Sequence, residues 1–129
     1  MSPRNMPQTA RHIQALIRKV QKSLTPDLLQ GRWQEQTNPL EGHCYVAAEA
    51  LWHLLGCSEW KPMVASYKDE QGKATHWWLV HRTKGTIADP TKEQYFPDQP
   101  PYHLGKGSGF LTRLPSRRAS IVLDRVRGI

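Results

Sequence analysis

Residues 44–55, CYVAAEALWHLL, constrain the chain more than any other stretch. Wound as an α-helix, they spread Val46, Ala47, Ala48, Ala50, Leu51, Leu54 and Leu55 over most of the circumference, and Gly56 follows as a stop. A helix that is apolar on nearly every side has to be enclosed by other elements. The fold is therefore whatever the remaining residues can place around it.

Helical and strand periods divide those residues cleanly. Ahead of the apolar helix, residues 9–24 predict an amphipathic helix, with Thr9 as N-cap and Ile13, Leu16, Ile17, Val20 and Leu24 on one face. Thr25-Pro26-Asp27 predicts a short second helix ending at Gly31, and residues 32–42, which contain Asn38-Pro39, read as a loop. Past Gly56 the pattern changes to strands at 62–67, 75–81 and 86–89. Asp69-Glu70-Gln71-Gly72 and Thr83-Lys84-Gly85 supply the turns, and Pro90 stops the third strand. Residues 91–109 read as a long loop. Its glycine-rich end, Gly105-Lys106-Gly107-Ser108-Gly109, lacks the preceding strand and the Lys-Ser/Thr ending of a phosphate loop, which makes it a lid or linker. A last, basic helix is expected over 116–126. Helices, then an antiparallel sheet of about three or more strands, then a helix is an α+β order. One domain is expected over 1–129, with its core at about 33–96 and the two terminal helices flanking it.

Composition narrows the function classes. With 38% hydrophobic residues and five Trp, the chain is globular rather than disordered. Two Cys exclude both a disulfide-dense scaffold and a four-Cys zinc site. No apolar run is long enough to cross a membrane and no signal sequence is visible at Met1-Ser2-Pro3-Arg4, so a cytoplasmic location with reduced thiols is expected. The net charge of +7 gathers at residues 4–22 and 113–127. It is either a solvated basic face or a surface for an acidic protein or nucleic acid. Aromatic residues do not interleave with these cations as a single-strand stacking platform requires.

One arrangement carries chemistry. Cys44 opens the buried helix, His76 lies on the strongest strand and Asp89 ends the next one. A thiol at a helix N-terminus meets the positive end of the macrodipole, which favours the nucleophilic thiolate. If the turn between the last two strands has an even length, opposed residues have odd number sums and His76 and Asp89 share a face. The roles then follow: Cys44 as nucleophile, His76 as base and acid, Asp89 fixing the imidazole tautomer. A buried Cys and a strand His beside two Trp are also ordinary core, so spacing alone leaves both readings open.

Around this triad an oxyanion hole needs converging donors. Candidates are the Cys44 N–H and the amide side chains of Gln34, Gln36 or Asn38, with Gly42 allowing close approach. Trp77 and Trp78 alternate across the sheet, one as core and the other, taken as Trp78, as a wall of the substrate groove. Cys57, in a turn with no charged neighbour, reads as structural. Cys44, His43, His76 and His81 do not show metal-ligand spacing, so neither a metal nor another cofactor is expected.

Asn38-Pro39, Gly42-His43-Cys44, His76-Trp77-Trp78 and Asp89-Pro90-Thr91 with Gln94-Tyr95-Phe96 together resemble the YunG-like proteins of bacteria and phage. Their pattern has the same order over residues 33–96: a Gly-x-Cys helix start, a His-aromatic-Trp strand and an Asp-x-Thr-x-x-Gln-aromatic segment. The order of Cys on a helix and His and Asp on strands also resembles the wider papain-like and transglutaminase-like superfamily, whose members cleave or exchange acyl groups through a thioester. The resemblance implies a small papain-like core, a Cys44–His76–Asp89 site and a role for Gln94 beside it. The expected function is thus a cysteine-dependent hydrolase or acyl transferase acting on an amide or thioester bond of a protein or small substrate. The competing expectation is a non-catalytic binding module for an acidic protein or nucleic acid.

Overall fold

The computed structural model describes residues 9–28, 43–70, 72–110 and 113–128. Thr9 opens the first helix, α1 (Ala10–Lys22), by accepting a hydrogen bond from the His12 N–H. A single 3-10 turn, Pro26–Leu28, follows it. The apolar helix, α2 (Cys44–Leu54), has Leu55 as its C-cap and Gly56 in the left-handed region at φ 93°. The last helix, α3 (Arg117–Val126), begins at Ser116, whose hydroxyl accepts from the Ala119 N–H.

Four antiparallel strands form one sheet: β1 (Trp60–Asp69), β2 (Gly72–His81), β3 (Ile87–Ala88) and β4 (Lys106–Gly107), in the order β3-β2-β1-β4. The architecture is α+β. The long β1–β2 hairpin sets the register, with Ala65 across from His76 and Met63 across from Trp78. β3 touches β2 only at Leu79–Ala88 and Val80–Ile87. The β2–β3 turn, residues 82–85, has an even length, and His81 N donates to Thr86 O at 2.8 Å across it.

Alternation sends Trp60, Leu79 and Ala88 to one face of the sheet, where they join Val46, Ala50 and Leu51 of α2. Ile17 and Val20 of α1 and Val122 and Leu123 of α3 complete the same core. The terminal helices flank the core in sequence only; in space they close it, because α2 has apolar residues on every side to cover. Two cations of the basic termini serve the same closure. Arg118 donates to Leu28 O at 2.7 Å, and Arg125 to Ser23 O at 2.9 Å.

The opposite face carries Ala65, Ala74, His76 and Trp78, also buried. Its cover is the 91–105 segment, expected as a plain loop. Two 3-10 turns, Lys92–Tyr95 and Tyr102–Leu104, lay Tyr95 and Tyr102 over His76 and Trp78. The glycine-rich stretch is neither lid nor linker. Lys106–Gly107 pairs with Met63 and Val64 as β4, and Gly105 packs so tightly on Trp78 that an added Cβ would stand 2.5 Å from its ring. Two-residue strands leave no periodic signal, which is why the sequence showed only a loop there.

Candidate active site

The site forms where β3 ends. Because β3 pairs with β2 only near the turn, the Thr75–Trp77 edge of β2 has no strand beside it among the described residues. The start of α2 fills the gap. The Cys44 thiol donates to Thr75 O at 3.4 Å and receives the Trp77 N–H. It thus stands in for a missing ladder residue and bonds the backbone on either side of His76. His43, fully buried, anchors this helix start through Nε2 to Thr25 O at 3.0 Å.

His76 and Asp89 meet as strand parity required. Continuing the ladder puts Asp89 across from Trp78, one diagonal from His76. His76 Nε2 lies 2.6 Å from Asp89 Oδ2, with both side chains shielded from solvent. A short charge-assisted contact of this kind places the ring proton on Nε2 and leaves Nδ1 with a lone pair. The carboxylate is itself held. Oδ1 accepts from the Thr91 N–H at 3.0 Å, and Oδ2 also accepts from the Tyr102 hydroxyl at 2.8 Å. Gln21 of α1 reaches Pro90 O at 3.0 Å and pins the chain just past Asp89.

Aromatic rings fix the imidazole from several sides. Trp78 stacks on it with centroids 5.4 Å apart, and Tyr95 meets it edge-on at 4.9 Å. Tyr95 is bonded in turn to Tyr67, hydroxyl to hydroxyl, at 2.6 Å. Burial, chiefly, holds both Tyr95 and Tyr102 well above the usual tyrosine range, so both remain neutral donors.

Burial also decides the state of the nucleophile candidate. The Cys44 thiol is pushed up to about 11, mainly by desolvation, with the Asp89 charge adding to the rise. The Trp77, Tyr45 and Cys44 N–H groups oppose that rise without overcoming it. A helix start by itself favours the thiolate. In the closed site the helix terminus is outweighed by the loss of water. The electrostatic influence of Asp89 on Cys44, and of Cys44 on Tyr95, places all three in one neighbourhood.

The expected residues thus divide. Cys44, His76, Asp89 and Gln94 come together, the last with its amide Nε2 3.2 Å from His76 Nδ1. Trp78 is beside the site but 1% exposed, so it braces the imidazole instead of walling a groove open to ligand. Trp77, on the other face, is only half-buried and packs with Tyr45 and Phe110. Gln34, Gln36, Asn38 and Gly42 lie outside the described residues. Tyr95 and Tyr102 were missed. Tyr95 belongs to the Gln-aromatic motif, which was a usable signal; Tyr102 stands in a stretch without periodicity. Cys57 has a partner that the sequence hid: its thiol lies 3.7 Å from His53 Nδ1, one helical turn back.

His81 faces away from His76, as alternation requires, and its Nδ1 accepts from the Thr83 and Lys84 N–H groups. Among the described residues no helix is long and apolar enough to cross a membrane. No family model, no curated protein and no solved structure matches the chain.

Proposed function

We propose that the protein is a cysteine-dependent hydrolase or acyl transferase, with Cys44 as nucleophile, His76 as proton acceptor and donor, and Asp89 as the residue that orients His76. The observation that carries this reading is the buried His76–Asp89 contact at 2.6 Å, which leaves Nδ1 as the basic atom of a fixed ring, on the strand residue between the two whose backbone the Cys44 thiol bonds. The same reading extends to the finer fold: a nucleophile at the start of an enclosed helix, with His and Asp on neighbouring strands, is the papain-like and transglutaminase-like arrangement.

The chemistry follows from those positions. The Cys44 proton passes to His76 Nδ1 as sulfur attacks the acyl carbon, and a thioester forms. The leaving amine or thiol departs with the proton from Nδ1. Water or an acceptor nucleophile then releases the acyl group, with His76 taking and returning its proton. Burial of the site strengthens every electrostatic contact in it.

A simple activated ester tests the reading. With p-nitrophenyl acetate, peptide mass spectrometry should find the acetyl group on Cys44. The adduct should persist in Cys57→Ala and vanish in Cys44→Ala. Acetylation confined to Cys57, or none at all, contradicts the proposal.

A second reading has its own support. Arg11, Arg18, Lys19 and Lys22 of α1 are all exposed, and α1 contains no acidic residue. A binding module for an acidic protein or nucleic acid would use that face. Its affinity for a DNA duplex should fall steeply between 50 and 200 mM salt; binding indifferent to salt counts against it.

A further inference from the structure

Gln94 sits where the proposed mechanism needs an open lone pair. The His76 Nε2–H donates to Asp89, so Nδ1 is the acceptor atom of the ring. The Gln94 amide nitrogen lies 3.2 Å from Nδ1 and 3.2 Å from Thr91 Oγ1, one hydrogen for each. The Cys44 thiol, meanwhile, donates to Thr75 O. The lone pair is occupied, and the proton it would receive is held elsewhere.

Resting on the reading above, we propose that Gln94 is a positioning residue that caps the base atom of His76 and holds the site at rest until the amide turns away. The capped state and the working state exclude each other. Once Nδ1 carries the thiol proton it is a donor, and a second donor 3.2 Å away has nothing to bond. The transfer therefore requires the amide N–H to leave Nδ1 for another acceptor. An acyl substrate brings a carbonyl oxygen that can serve. The cap is built to persist without one. Thr91, its second anchor, is fully buried and tied to Asp89 through its own N–H, so amide and carboxylate are set by the same short segment. The titratable groups on the imidazole are Asp89, Tyr95 and Tyr102, contributed by the chain after β3 and by the two 3-10 turns, while Cys44 of α2 bonds the backbone on either side of it.

The test is the rate of Cys44 alkylation by iodoacetamide near neutral pH, in a Cys57→Ala background. Gln94→Leu and Gln94→Ala, two side chains of different bulk, should each raise the rate about three- to tenfold, the effect of one neutral hydrogen bond. Adding His76→Ala should abolish the gain. The Nδ1 resonance in ¹⁵N spectra should move in both Gln94 variants toward that of an unbonded lone pair. An unchanged or slower rate, with His76→Ala still slowing the parent, overturns the cap and leaves the triad reading intact. A gain that survives His76→Ala overturns it as well, because the turn has merely loosened. If His76→Ala leaves the parent unchanged and Gln94 has no effect, the triad reading itself fails and takes the cap with it.

Discussion

Asp89 Oδ2 accepts hydrogen bonds from the His76 Nε2–H and the Tyr102 hydroxyl at once, at 2.6 and 2.8 Å. With the Thr91 N–H on Oδ1, three donors hold this buried carboxylate in place. Asp89→Asn removes the negative charge and one acceptor site, and should slow His76-dependent alkylation of Cys44 about tenfold or more. Tyr102→Phe removes only a positioning contact and should cost less. Equal rates in wild type and Asp89→Asn would show that the ring does not need its partner.

Gly105 underlies the same cluster from further away. A methyl group there would meet the Trp78 ring at 2.5 Å, and Trp78 is stacked on His76. Gly105→Ala should therefore destabilise the fold by about 1–3 kcal/mol, as overpacking does, and slow Cys44 alkylation in parallel. A variant with unchanged urea midpoint and unchanged alkylation would mean that Trp78 yields freely.

Most of the helices and the His76–Asp89 pair were legible because period and parity are strict. Thr9 and Ser116 stand as the caps of α1 and α3, and the even turn at 82–85 brings two distant numbers to one face. What stayed hidden depends on tertiary approach. The 91–105 segment has no period of its own and takes its shape from the sheet it covers. The expected thiolate failed for a related reason: sequence places Cys44 at a helix start but says nothing of how dry that start will be.

Glu49 shows another contact beyond reach of pattern. It is fully buried on α2, and its carboxylate accepts the Ser116 N–H and hydroxyl at 2.7 Å each, joining α2 to the start of α3. Glu49→Ala leaves both donors without that partner and should cost about 2–4 kcal/mol, read as a lower urea midpoint at unchanged slope. A loss below about 0.5 kcal/mol would mean the contact is replaceable by water.

Cys44 gives the fold a specific alkaline dependence. Its pKa rises on folding from 9.0 to about 11, so folding favours the protonated thiol. That contribution is fully present below pH 9 and is lost as pH climbs toward 11, at most about 3 kcal/mol. Comparison with Cys44→Ala isolates it from other alkaline groups. The stability gap between the two proteins should narrow over this interval; a gap that stays constant with pH contradicts a raised thiol.

The most direct measurement is the second-order rate of Cys44 alkylation at pH 7 in the Cys57→Ala protein, with and without His76→Ala. With the thiol near 11, only about one in ten thousand ionises unaided at that pH, so appreciable reaction has to pass its proton to the imidazole. Loss of His76 should then slow the reaction about tenfold or more. Equal rates in the two proteins would mean that Cys44 and His76 are not a catalytic pair.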